Sequence, residues 1–404
     1  MSCLARIISI ENMDQAKKEL LELGVHSSGL DIMAPKAVFK AIKIKDVSVV
    51  AANILKQDML SRGGEAATSK GTIDHSEEKT DVILLGTIFQ YKSLIERLKT
   101  QQFGLPRAGK EIELLLQRNE GQPKPILGMD FGRKTYIMGI LNATPDSFSD
   151  GGKYVKTEDA VFHAEQMTKD GADIIDVGGE STRPGAQEIT VEEEIKRVVP
   201  VIKGMIETRL IASPQYDHPT IISIDTRKSS VADAAIKAGA GMINDVSGLR
   251  HDQRMARVAA EHKVPMIIMH SKGDPSIMQN DPQYEDLISE ILAFFEDSIE
   301  IAVKAGVKEN VIILDPGIGF CKTLEHNIEI LRRLDELRCL GRPLCIGLSK
   351  KSFIGKILGG EASQRREGSS AASVLAISKK VDIIRIHDVE QLSKAAKISD
   401  VILR

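Results

Sequence analysis

Tryptophan is missing from this 404-residue chain, and aromatic residues make up only 4% of it. Surfaces that read single-stranded nucleic acid stack bases on aromatic side chains, so that class of partner is disfavoured. A basic excess is missing too. The formal net charge is −3, which leaves no electrostatic footprint for a phosphate backbone. No apolar run approaches the ~18 residues of a membrane-spanning helix. The start, "MSCLARIISIENMDQ", lacks the basic region and long apolar core of a secretory leader. The cytoplasm is therefore the expected compartment. Cysteine is scarce: Cys3, Cys321, Cys339 and Cys345 form no CxxC pair and no His/Cys cluster. Neither a disulfide framework nor a structural zinc site is expected.

What is present is an ordinary globular composition, 42% hydrophobic and 27% charged, in a chain long enough for more than one domain. Residues 1–120 read as a small α/β domain. "LARIISI", "AVFKAIKIK" and "DVILLGTIFQ" have strand character. "MDQAKKELLELG", "SVVAANILKQDML", "YKSLIERLKTQQFG" and "AGKEIELLLQR" have helical spacing, and "RGGEAATSKGTIDHSEEK" reads as a polar loop. No catalytic motif stands out there, and a structural or assembly role is the preferred reading. The turn-rich stretch 121–130, with Pro123 and Pro125, reads as a linker.

From 131 to 404 the pattern changes. Eight short, nearly unbroken apolar runs alternate with helical segments: "YIMGILNATP", "DIIDVGG", "TIISIDT", "GMINDVSG", "PMIIMH", "VIILDPG", "PLCIGLS" and "DIIRIHDV". Parallel strands covered on both faces read this way. Eight strand–helix repeats predict a (β/α)8 TIM barrel, with a doubly wound sheet as the competing architecture.

Barrel chemistry sits at the C-terminal ends of the strands. Those ends carry Asn142, Asp176 with the loop Ser181-Thr182-Arg183, Asp225, Asn244, His270 with Lys272, Asp315, Ser349 with Lys351, and Arg385 with His387. Asp, Asn, Ser and Thr also cap helices, so any one of them has a structural explanation. Lys, Arg and His are poor caps, and the whole series points to a ligand site. His270 alone reads best as a satisfied core histidine. The set divides by charge. Arg385 and His387, on the last strand, suit an anion such as phosphate or pyrophosphate, and Asn142 offers an amide oxygen to a hard cation such as Mg2+. Asp225, Asn244 and Asp315 suit a ligand rich in N–H, such as an aminated heterocycle, with Lys351 donating to its carbonyl.

The motifs "GILNATPDSFSDGG" and "DIIDVGGESTRPGA" resemble the two signatures of the dihydropteroate synthase family. "SIDT", "INDVSG", "MHSKGDPSIMQ", "DPGIGFCKT", "SKKSFIG" and "IRIHDV" follow in the family's order. The resemblance covers about 130–390. It implies condensation of 6-hydroxymethyl-7,8-dihydropterin pyrophosphate with p-aminobenzoate, giving dihydropteroate and pyrophosphate on the folate pathway. It also implies Mg2+ as cofactor, sulfonamides as inhibitors and a homodimer. Carried over by residue, Asn142 would bind Mg2+ and pyrophosphate, with Arg385 and His387 on the anion. Asp225, Asn244, Asp315 and Lys351 would hold the pterin, supported by Asp176. Thr182, Arg183, Pro184, Phe320 and Ser349 would form the p-aminobenzoate pocket. Three positions depart from the family: Lys350 stands where Arg is usual, Cys321 where Gly is usual, and Lys380 where a helix-ending Gly is common. A pterin-binding methyltransferase and a non-catalytic pterin-binding barrel are the rival readings. The first would lack "TPDSFSDGG" and "ESTRPG", and the second would lose Asn142, Arg385 and His387.

Overall fold

The computed structural model describes residues 4–74, 76–143, 157–181, 187–208, 219–272, 282–359 and 365–404. Two compact units divide the chain, Met1–Gly121 and Gln122–Arg404.

The first unit holds a three-stranded antiparallel sheet of β1 (Phe39–Ser48), β2 (Glu65–Thr68) and β3 (Lys79–Thr87) in the order β1-β3-β2. One face alternates inward: Ile42, Ala66, Val82 and Leu84 pack on Leu55 and Met59 of one helix and Tyr91, Leu94 and Leu98 of another. Two expectations fail here. Residues 4–10 form no strand, and Leu4 and Ile7 are almost fully exposed, because no described strand edge pairs with them. The polar stretch after Gly63 is not all loop, since β2 lies inside it and takes its register from β3.

The second unit is the expected barrel. All eight apolar runs are strands: β4 (Tyr136–Asn142), β5 (Ile174–Gly178), β6 (Ile221–Asp225), β7 (Met242–Asp245), β8 (Met266–Met269), β9 (Ile312–Asp315), β10 (Cys345–Gly347) and β11 (Ile383–Ile386). They pair in parallel in the order β10-β11-β4-β5-β6-β7-β8-β9. A parallel bridge from Leu314 to Leu344 links the two ends of that order. Both faces of each strand are buried, which is why the runs show no alternation. Ile175, Val177, Ile222, Ile224, Ile268 and Ile384 pack outward with the helices. Tyr136, Met138, Ile174, Met242, Ile267, Ile313, Cys345 and Ile383 form an inner apolar layer.

The stretch read as a linker belongs to that inner layer. Ile126 and Met129 form a two-residue bridge around Leu127 and Gly128, both at positive φ. Ile126, Met129 and Phe131 are buried against the inner layer, and the Phe131 and Tyr136 rings meet edge-on at 5.8 Å. The composition of a linker hid two core side chains, Ile126 and Met129, which join Phe131 at the barrel floor.

Cys321, Lys350 and Lys380, the three departures from the family pattern, all have positive φ, of 48°, 56° and 61°. Glycine adopts this region without the Cβ penalty of other residues. Lys380 follows α14 (Arg366–Ser378), and its N–H bonds the carbonyl of Ile377, as a left-handed helix stop requires. Its side chain is exposed, while its own carbonyl accepts from Arg338 at 2.8 Å, a bond that glycine keeps. Lys380→Gly is therefore expected to stabilise the barrel by ~1 kcal/mol, read as a higher urea midpoint at unchanged slope.

Candidate active site

Strand register assembles the site. Asn142 pairs with Gly178, Gly178 with Asp225, and Asp225 with Asn244, so four strand ends lie on one rung. Gly178 leaves a gap in that rung: a Cβ there would lie 3.7 Å from Asp225 Oδ2 and 3.9 Å from Asn142 Oδ1. Asp176, one inward-facing position deeper on β5, is completely buried.

Arg385 ties these groups together. Its Nε donates to Asp176 Oδ2 at 2.6 Å, and an Nη donates to Asp225 Oδ2. Asn244 Nδ2 donates to the same Asp176 oxygen at 2.9 Å. Asp176 Oδ1 is buried and has no hydrogen-bond partner among the described residues. The charge division read from the sequence does not survive intact. Arg385, assigned to the anion side, lies between two carboxylates of the acceptor side. Sequence separation concealed this, since the partners are 209 and 160 residues away.

Burial raises the Asp225 pKa to about 7 despite Arg385, with the charges of Asp176, Glu194 and Asp245 adding to the effect. Asp315 is also raised by burial, opposed by the Gly317 N–H at 2.7 Å and by Lys351. Lys351 is lowered to about 8 by burial and then by Arg385, with Asp315 and Asp225 opposing. Its ammonium lies 4.4 Å from the centre of the Phe320 ring. Ser349 Oγ accepts the His387 backbone N–H at 3.2 Å and lies 3.0 Å from His387 Nδ1, which joins a residue assigned to the amine pocket to one assigned to the anion. Lys272 turns away to Glu290, at 2.8 Å. His270 is buried and bonded, as a core histidine should be. Thr182, Arg183 and Pro184 lie outside the described residues.

A charged cluster beside the rung escaped the sequence reading. Lys228 Nζ contacts Glu194 at 2.8 Å, Glu180 at 3.3 Å and the Ile189 carbonyl at 2.7 Å. Glu180 also meets Arg227 at 3.3 Å and accepts the Ile189 N–H at 3.1 Å. Both backbone groups of Ile189 are thus held by residues next to strand ends. The signal was faint. Glu194 lies in "VEEEIKRV", which reads as a solvated helix start, yet it shares the buried face of Val198, Val201 and Met205. Only helical phase separates it from Glu192 and Glu193. Breaking a buried pair by removing one partner costs ~3–5 kcal/mol. Lys228→Met should cost that much in urea unfolding, and adding Glu194→Gln should cost less than the two single losses combined.

No helix among the described residues is long and apolar enough to cross a membrane, and no group of three or more His, Cys, Asp or Glu among them could hold a metal ion. The family model for pterin binding enzymes matches residues 138–387. The chain is 47% identical over 275 residues to dihydropteroate synthase of Bacillus subtilis, covering 68% of this chain and 91% of that one. It is 38% identical over 401 residues to a probable bifunctional folylpolyglutamate synthase/dihydropteroate synthase of Halobacterium salinarum, covering 97% of this chain and 46% of that relative. Among solved structures, it is similar to a Clostridium difficile dihydropteroate synthase crystallised in the presence of pteroic acid. The TM-score is 0.62 at 48% identity, with 68% of this chain and 99% of the other covered.

Proposed function

The chain belongs to the pterin-binding enzyme family and carries out the dihydropteroate synthase reaction, and from that premise we propose how its residues divide the work. The observation that carries the assignment is the Asp176–Asp225–Asn244–Arg385 cluster, with its unpartnered Asp176 oxygen, at one rung of the barrel mouth. A pterin presents amino and ring N–H donors, and inward carboxylates without enough protein donors of their own are their complement.

In the reaction the C–O bond between the pterin methylene and pyrophosphate breaks, and its electron pair leaves with pyrophosphate. A C–N bond forms from the amine lone pair of p-aminobenzoate, and that nitrogen loses one proton. Asp225 and Asp315 hold the pterin and offset the positive charge that develops on it. Asn244 and Lys351 orient the ring, and Asp176 supports them through its bonds to Asn244 and Arg385. Arg385 has five N–H donors. Two are engaged by Asp176 and Asp225, so the same guanidinium can serve the leaving anion alongside His387. Phe320 and Ser349 line the amine pocket, to which the family signature also assigns Thr182, Arg183 and Pro184, outside the described residues.

Mg2+ fits this donor set. The amide oxygen of Asn142 beside Gly178 is a hard neutral ligand, suited to a cation that arrives with phosphate oxygens and keeps waters. Asn142 would hold it, and when bound it would neutralise charge on the pyrophosphate.

The test is pyrophosphate release by the purified chain with the pterin pyrophosphate and Mg2+. Release should depend on p-aminobenzoate and yield dihydropteroate; release indifferent to the amine would refute the assignment. Its pH dependence should be bell-shaped. Below about 7 Asp225 takes up a proton and no longer offsets positive charge, and above about 8 Lys351 loses its own. The limbs of kcat/KM for the pterin are expected near those values as properties of the coupled cluster.

A homodimer is the second part of this reading. Leu375 on α14 and Ile398, Val401 and Ile402 on α15 (Val389–Leu403) are 65–87% exposed on two helices that pack together. Apolar side chains grouped this way suit a self-complementary contact. Leu375→Glu with Ile402→Glu should shift the sedimentation coefficient from dimer to monomer; an unchanged value would remove this face from the interface.

A further inference from the structure

Phe320 sits in the loop between β9 and α12 (Leu324–Arg332), and its ring supports the Lys351 ammonium. That loop is an improbable piece of backbone, with Gly317, Gly319 and Cys321 all at positive φ. A Cβ at Gly317 would come within 2.1 Å of the His270 carbonyl oxygen, so the loop and the end of β8 are in direct backbone contact. Side chains from the surroundings hold successive peptides. Asn327 Oδ1 accepts the Gly319 N–H at 2.8 Å, and the Tyr284 hydroxyl donates to the Cys321 carbonyl at 3.1 Å. The Phe320 carbonyl between them accepts from Lys322 Nζ at 3.0 Å. The same ammonium lies 2.9 Å from His270 Nδ1.

We propose that Lys322 is a positioning residue for the amine substrate: it fixes the Phe320 wall of the p-aminobenzoate pocket, with His270 as its anchor on β8. The inference rests on the reading of Phe320 as that wall. Lys322 folds back over its own loop and clamps the carbonyl two residues earlier to the neighbouring strand end.

His270 is built to be an acceptor. Its ring is enclosed by Phe294 at 4.8 Å, with Tyr284 and Phe295 further out. Burial lowers its pKa to about 2, with Lys322, Lys272 and Arg250 acting in the same direction. The imidazole is therefore neutral, and Lys322, whose own pKa burial lowers to about 7, keeps N–H donors in either of its protonation states, so Nδ1 can accept from it. The His270 backbone N–H in turn bonds the Asp315 carbonyl at 2.8 Å. The anchor is thereby tied to the strand end that carries a pterin-holding carboxylate.

The clamp can be tested in the full chain with Lys322→Met, which keeps length and loses the donors, and Lys322→Gln, which keeps a donor. Phe320→Ala serves as the reference for the pocket. Loss of the clamp should raise KM for p-aminobenzoate about tenfold, the order expected for a lost buried hydrogen bond, and KM for the pterin less than threefold. The glutamine variant should recover part of the loss, and it carries the test if the methionine variant does not fold. If Phe320→Ala raises KM for p-aminobenzoate while both Lys322 variants leave it unchanged, the clamp is refuted and the pocket stands. The clamp is also refuted if the variants lose only melting temperature and active fraction. If Phe320→Ala itself leaves that KM unchanged, the pocket reading fails and this inference falls with it.

Discussion

Everything at the barrel mouth is arranged around one guanidinium held between two carboxylates. Three charges lie there on a surface largely removed from water, a costly arrangement unless each finds partners. Arg385 supplies them to Asp176 and Asp225 together, and Asn244 adds a donor to Asp176. Among the described residues the second oxygen of Asp176 is left without a donor. A fully satisfied cluster would be a structural staple. A cluster short of one donor leaves an acceptor over, which is the opening the proposed pterin would fill.

The surroundings hold that cluster in place at two distances. Nearby, register lines up the polar strand ends, and the missing side chain at Gly178 keeps room between Asn142 and Asp225. Further out, the connecting segments are pinned by buried polar contacts: Lys228 and Glu180 at the backbone of Ile189, and Lys322, Asn327 and Tyr284 on the segment after β9. The apolar floor contributed by Ile126, Met129 and Phe131 closes the other end of the barrel interior.

Much of this was legible from sequence, for a physical reason. Strands buried on both faces are forced to be apolar until they reach the mouth, so all eight announced themselves and each run ended in polar residues. Three kinds of feature were not legible. Contacts between distant positions, such as Arg385 with Asp176, leave no local trace, and the residues were found while their pairing was not. Buried charges on helix starts or just past a strand, such as Glu194 and Lys228, look like solvated polarity until the helical phase or the chain direction is known. The floor residues sat among prolines and glycines whose turn chemistry is the same in a linker and in a packed hairpin. Residues 4–10 show the converse error: apolar alternation makes a strand only where an edge is there to pair with it.

The rung that joins Asn142, Gly178, Asp225 and Asn244 also makes the chemistry of the mouth discrete. Side chains alternate along a strand, so a displacement of one residue exchanges the two faces. The residues one step back are Leu141, Val177, Ile224 and Ile243, every one of them apolar and fully buried. No gradual misalignment leads from a polar mouth to a greasy one. A chain that closed its barrel one position out would lose this polar mouth, and it would turn the strand-end amides and carboxylates into the apolar helical layer. Correct closure of the barrel and assembly of the polar mouth are therefore one structural outcome, fixed by the same strand pairing.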